Sequence, residues 1–450
     1  RIRKIDGPTP IWETAISGDP LVVERSLLDQ FARVLERAIL LQPLTASELL
    51  RLQKVPTTSG DALMAYSQAR ALIGPSNSAE TTDRAIALLQ DAVAKDSTFA
   101  LAYASLGDAY WQKYQRTKTP DLVGKATAAV NEALRLDPDQ AAVHYSLGNM
   151  YQQTGRYEDA ITALSRAIQI QPDDDESHAL LARVLAAKGD YRRASEEARR
   201  AVDIRPGWTG YFNQGRVELA GGHLDKALVA FRRTTELNPG FAGGFQMLGA
   251  AYQMTGDLDN AIGNYEHSIR LEPNAPAYSN LGIAYLRARR YTEAIAAYTE
   301  AISRDPQQPS RYRNLADAFK AAGRFDEARD NYAKALALAQ RALVVNPRDA
   351  VMIALEALCE ANLGRHTEAR GHAAEAASVG EASGDARFRL TKVYLALDDR
   401  PAALAALRAA VAVGYDQKAA REDDDLAPLR GPDFDAAIAE GLAARRAGGR

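Results

Sequence analysis

At 450 residues, with 46% hydrophobic and 25% charged side chains, the chain has the composition of a packed protein and not of a disordered one. A formal charge of −3 leaves no basic excess of the kind a nucleic acid requires, so no nucleic-acid partner is expected. The single cysteine, Cys359, excludes an intrachain disulfide and a thiolate metal centre. No apolar run reaches the roughly 18–20 residues needed to span a bilayer, and the longest candidate, Val34 to Leu41, is interrupted by Glu36 and Arg37.

In chain order, Arg1 to Ile16 alternates apolar and polar residues around Gly7-Pro8-Thr9-Pro10, which predicts two short strands joined by a turn. Such a hairpin is marginal alone, so it requires a sheet from elsewhere. The chain starts at Arg1 with no methionine and no signal peptide, as expected of a processed form or a piece of a longer protein. Asp19-Pro20 opens a helix whose apolar period runs from Val23 to Ala38, and Thr45-Ala46-Ser47-Glu48 is a capping box for a second helix, to about Gln53. A linker, Val55 to Gly60, leads to a first helix pair at Ala62–Ile73 and Thr82–Lys95.

From there the pattern repeats. Ala141 to Pro172 holds two amphipathic segments separated by Gly155, a position suited to a positive φ, and closed by Pro172. Closing prolines recur at Pro138, Pro172, Pro206, Pro239, Pro273, Pro306 and Pro347, spaced 34, 34, 33, 34, 33 and 41 residues apart. The long last interval predicts two extra turns in a helix over Phe325–Val345. A seven-residue insertion is expected near Gln115–Leu122. Leu-Gly-x-x-Tyr recurs at Leu106-Gly107-Tyr110, Leu147-Gly148-Tyr151, Leu248-Gly249-Tyr252 and Leu281-Gly282-Tyr285. The second segment carries an alanine at Ala126, Ala160, Ala194, Ala227, Ala261, Ala294 and Ala328. Weaker pairs cover Ala350–Val379 and Asp385–Val413, and the tail to about Arg445 reads as a helical cap with a polar outer face.

This period and pattern strongly resemble the tetratricopeptide repeat. The resemblance implies an all-α, right-handed superhelical solenoid of about ten repeats over 61–413, with a small α/β segment over 1–60 and a cap over 414–450. Trp12 to Pro56, the array and the ending Asp425-Leu426-Ala427-Pro428-Leu429-Arg430 together resemble the carboxy-terminal region of bacterial multidomain regulators. There a TolB-amino-terminal-like segment precedes the repeats, beside a serine/threonine kinase, adenylate cyclase or winged-helix domain. The ending departs from the usual Asp-Pro-Asp-Leu and Asp-Pro-Arg-Phe forms, and no effector domain is present, so no activity carries over. The resemblance and the cysteine count favour an extracytoplasmic place.

A search for chemistry finds no catalytic seat. No histidine pair stands four apart with a glutamate, so no metal is expected, and His144 and His178, at one repeat position, read as packing residues. Asp173 to Glu176 reads as a favourable helix start, and Asp423 to Asp425 likewise. Gly240 to Gly244 follows no strand and matches no phosphate loop. Arg192-Arg193, Arg199-Arg200 and Arg232-Arg233 fall on the outer, second helices. No cofactor and no enzyme activity are therefore expected.

What remains is a surface. Arrays of this kind line their concave side with first-helix positions not spent on packing. Here those are Asp108 and Trp111; Tyr145, Asn149 and Gln153; Arg183; Phe212, Asn213 and Arg216; Gln246 and Gln253; Ser279 and Asn280; and Arg313, Asn314 and Asp317. Amide, aromatic and guanidinium groups suit an extended peptide, whose backbone offers a donor and an acceptor at every residue. The lysine–asparagine clamp of chaperone-binding relatives is not reproduced, because Tyr145 stands where its lysine would be. The expected function is protein or peptide binding by a scaffold or sensor. The alternative is self-assembly through the ends of the array or the Arg1–Ile16 strands.

Overall fold

The computed structural model describes residues 57–73, 78–379, 384–415 and 417–447. The hairpin expected over Arg1–Ile16 and the two helices expected before Gln53 lie outside them. The described residues are helical, with no strand among them. In chain order the helices are α1 (Gly60–Leu72), α2 (Ala79–Lys95), α3 (Ala100–Thr117), α4 (Asp121–Leu136), α5 (Ala141–Gln153), α6 (Tyr157–Ile170), α7 (Asp175–Lys188), α8 (Tyr191–Ile204) and α9 (Trp208–Ala220). There follow α10 (Leu224–Leu237), α11 (Ala242–Thr255), α12 (Leu258–Leu271), α13 (Ala275–Arg287), α14 (Tyr291–Arg304), α15 (Pro309–Ala321) and α16 (Phe325–Val345). The last are α17 (Ala350–Asn362), α18 (His366–Val379), α19 (Gly384–Ala396), α20 (Arg400–Ala412), α21 (Gln417–Glu422), a 3-10 turn (Asp424–Leu429) and α22 (Pro432–Ala447). Contacts divide them into two compact units, one ending at Gly221 and one beginning at Gly222.

Local chemistry sets both kinds of helix end. Asp137, Gln171, Arg205, Asn238, Glu272, Asp305 and Asn346 each precede a closing proline and are extended, with φ between −148 and −130. The proline ring excludes the helical conformation from the residue before it, so α4, α6, α8, α10, α12, α14 and α16 all stop there. The turn between paired helices instead needs a left-handed residue. Gly155, Gly189, Gly222, Gly256, Gly323 and Gly364 supply it with φ between 74 and 89. Arg289 (φ 59) and Asp398 (φ 56) hold the same register position without that freedom.

The expected insertion is largely helix. The first helix of that repeat, α3, runs on to Thr117 because no breaker precedes Pro120, and Lys118 ends it at φ 54. Its ammonium lies over the Tyr114 ring, 5.7 Å from the centroid. The lengthened helix Phe325–Val345 forms as the 41-residue interval predicts.

Each helix pair packs small against large. A methyl group on Gly148 would lie 2.5 Å from Leu164 Cγ, and one on Gly282 would lie 2.6 Å from the Tyr298 ring. Leu164 is fully buried in this way, contributing about 1.5–3 kcal/mol. In the first unit, α1 to α8 form four such pairs, and α9 packs on α7 and α8. In the second, α10 packs on α11 and five pairs follow. A continuous core runs from Ala261 to Cys359 around the buried Tyr265, Tyr298 and Tyr332.

Within each unit successive first helices lie against one another (α3, α5, α7 and α9 in one; α11, α13 and α15, then α17 and α19, in the other). Successive second helices do not pack together to a comparable extent. The first helices therefore form the shorter, inner side of each unit.

The carboxy-terminal end is covered. Phe434, Ile438, Leu426 and Leu429 close over Leu407 and Val411. Arg400 donates to the carbonyls of Pro428 (2.7 Å) and Leu429 (3.0 Å). Lys392 Nζ holds Asp423 at 2.8 Å and Asp425 at 2.6 Å. No described helix is long and apolar enough to cross a membrane.

Candidate binding surface

The inner side of the first unit carries a connected polar network between α3 and α5. Ser146 Oγ donates to Asp108 Oδ2 at 2.7 Å. Gln153 Nε2 donates to Asn149 Oδ1 at 3.0 Å, and Gln153 Oε1 accepts from Trp111 Nε1 and from Gln115. Four of the residues expected to line a groove, Asp108, Trp111, Asn149 and Gln153, are thus brought together by one network. Trp111 itself is buried, so its indole serves packing as well as the bond to Gln153. Burial pushes the Asp108 carboxyl up to about 6, against the hydrogen bond from Ser146.

Next along this side stand Tyr145, Arg183, Phe212 and Arg216. Burial raises the Tyr145 hydroxyl to about 12, and the nearby Arg183 works against that rise. Burial holds the Arg183 guanidinium below its ordinary range, and Arg216 adds like-charge repulsion. Arg183 Nε is buried and has no hydrogen-bond partner. Arg216 is exposed and lies over the Phe212 ring at 6.0 Å.

In the second unit the expected residues divide in two. Some are engaged in the fold. Asp317 Oδ2 accepts from Arg313 at 2.8 Å and Oδ1 from the Tyr332 hydroxyl at 2.5 Å, while Gln253 Oε1 accepts from the Tyr265 hydroxyl at 3.3 Å. These bonds satisfy phenols buried in the core. Others are unspent. Gln246, Asn280 and Asn314, like Asn213 of the first unit, are half-buried and make no side-chain hydrogen bond to any described residue.

The histidine pair does as its shared position suggests. His144 Nε2 meets the Pro138 carbonyl at 2.8 Å and His178 Nε2 meets that of Pro172 at 3.0 Å. His178 Nδ1 also pairs with Glu197 at 2.5 Å. Sequence reading missed one polar cluster, Glu356 and Glu360 of the first helix α17 with His372 of the second helix α18. The signal available was two glutamates one turn apart followed by a histidine twelve residues on.

Comparison with known proteins fits this geometry. Tetratricopeptide repeat family models match residues 123–184, 153–211, 242–274 and 275–341. The small glutamine-rich tetratricopeptide repeat-containing protein 2 of Mycosarcoma maydis is 33% identical over 91 residues, 20% of this chain and 26% of that one. The photosystem I assembly protein Ycf3 of Synechococcus sp. (strain WH7803) is 34% identical over 83 residues, 18% of this chain and 48% of that one. The chain thus spans about a quarter and about half the length of these relatives. Among solved structures, a tetratricopeptide repeat protein from Parabacteroides merdae aligns with a TM-score of 0.43 at 16% identity, over 60% of this chain and 98% of that one. No enzyme family is indicated. Proteins built of this repeat generally mediate protein–protein interactions. From the family matches, the period and the paired helices together, the chain carries tetratricopeptide repeats.

Proposed function

We propose that this chain is a non-catalytic interaction module in which the inner, first-helix side of each unit binds a protein or peptide in extended form. The observation that carries the reading is unspent hydrogen-bonding capacity. Asn213, Gln246, Asn280 and Asn314 are half-buried yet bond to no described side chain or backbone group, and Arg183 keeps a buried Nε–H without an acceptor. Buried polar groups normally find partners, and a peptide backbone offers a donor and an acceptor at nearly every residue. The Arg216–Phe212 pair adds an aromatic and cationic anchor of the kind that dominates interface energy. No cofactor enters this reading.

The Ycf3 relative is named as an assembly protein, and holding one partner for assembly with another is the role we assign here. The Asp425–Arg430 ending and the Trp12–Pro56 segment support placing the module within a bacterial regulator, as its sensing or scaffolding part. The self-assembly alternative rests on Arg1–Ile16, outside the described residues.

Selection of displayed peptides on the purified full chain tests the proposal. Peptides should be enriched that bind the parent chain and lose at least about tenfold in affinity, or about 1.4 kcal/mol, when Asn149, Arg183 and Arg216 are all changed to alanine. Equal binding by parent and triple variant would reject the inner side as the site.

A further inference from the structure

Outside the residues assigned to binding, three potential metal ligands converge between α17 and α18. Glu356 and Glu360 stand one turn apart on α17 and are 6% and 3% exposed. His372 reaches them from α18, with Nδ1 2.8 Å from Glu360 Oε2. One ligand atom from each of the three lies within 4.8 Å of the others. Gln340 of α16 donates to Glu356 Oε1 at 2.9 Å. These are the only side-chain bonds the two carboxylates make to described residues, so each keeps one oxygen with no protein partner.

Charge balance sharpens the case. Two buried carboxylates face one imidazole, Glu368 and Glu375 add negative charge nearby, and no described Lys or Arg forms an ion pair with Glu356 or Glu360. Burying two anions against a single neutralising group is costly, and a divalent cation removes that cost. The His372 side chain is 34% exposed, which gives an ion an entry from solvent.

We propose that Glu356, Glu360 and His372 bind one divalent first-row transition ion, with Zn²⁺ the best fit. Two carboxylate oxygens and one imidazole nitrogen form a mixed set suited to zinc, whereas Ca²⁺ and Mg²⁺ favour oxygen ligands throughout. Ligand bonds of about 2.0–2.2 Å around a tetrahedral ion place donor atoms about 3.4 Å apart, so the three side chains need close only slightly. The ion bridges α17 to α18 and leaves a coordination position open.

Chelator-stripped full chain titrated with Zn²⁺ by calorimetry, with Co²⁺ visible absorption as a direct report on the ligands, tests the site. The expected result is one saturable site and a higher melting temperature with zinc. Affinity should fall by more than about 100-fold in His372→Gln and in Glu356→Gln, beyond what loss of an outer hydrogen bond causes. His267→Gln, a change to a histidine stacked on Phe245, should leave it unaltered. If Glu356→Gln fails to fold, the half-exposed His372 carries the test. Absence of a saturable site, or stoichiometric zinc binding that survives His372→Gln, would overturn the proposal and leave a His372–Glu360 hydrogen bond with no metal role.

Discussion

Gly148 and Leu164 illustrate how single positions carry this fold. Because a methyl group on Gly148 would meet Leu164 Cγ at 2.5 Å, Gly148→Ala should destabilise by about 1–3 kcal/mol despite alanine's better helix propensity. In the background of Leu164→Ala the same change should cost much less, a coupling that a double-mutant cycle in urea measures. Additive effects would contradict the close approach. Ala160, fully buried at the helix crossing, should likewise not accept leucine without a loss of about 1–3 kcal/mol. Arg289 offers the opposite case. It sits at φ 59 where neighbouring repeats use glycine, so Arg289→Gly should stabilise by about 0.5–1 kcal/mol, read as a higher denaturation midpoint.

Asp108 gives a dependence on pH. Its folded value of about 6 lies above the unfolded value of about 3.9, so the folded chain holds the proton more tightly. The stability it contributes is therefore full below about pH 4 and is lost as pH rises through about 6. Asp175, raised to about 6 chiefly by burial, acts in the same direction. Asp108→Asn should flatten this decline and raise the denaturation midpoint at pH 7; an unchanged profile would contradict the burial of its carboxyl. The glycines, alanines and closing prolines behind most of these arguments were legible from spacing alone, since backbone conformation and close packing restrict residue type directly. The partner of each polar side chain was not. Gln253 and Asp317 read as free groove residues, yet they receive the Tyr265 and Tyr332 hydroxyls, because rotamers and not period decide such bonds.

At the scale of elements, boundaries follow from the two rules at helix ends, and the sequence exposes both. α16 has the bounds that the 41-residue interval predicts. The extension of α3 into the expected insertion was not visible, because Gln115, Arg116 and Thr117 are tolerated in helix and loop alike. The carboxy-terminal cap makes a sharper test. Phe434, 3% exposed, fills the end of the second unit against Leu407 and Val411, so Phe434→Ala should cost about 3–5 kcal/mol. Hydrogen exchange should locate that loss in α19, α20 and α22, with α11–α14 protected as before. Uniform loss along the unit would mean that its pairs do not open separately.

The whole molecule is governed by nearest neighbours. Within each unit a helix pair leaves an apolar face that the next pair covers, and stability accumulates as a sum of local and interface terms. That is why periodicity of the prolines and small residues was enough to read the architecture, while the identity of a ligand was not: packing positions must repeat, but inner-side positions are free to vary. Their variation from Tyr145 to Arg183 to Gln246 is what we assign to recognition.

Site-specific photo-crosslinking tests that assignment most directly. A photoreactive residue placed at Asn213, Gln246 or Asn280 should capture a peptide selected on the full chain, whereas the same residue at Glu196 or Glu300, exposed on second helices, should capture little. Crosslinking mainly from Glu196 and Glu300 would contradict the account.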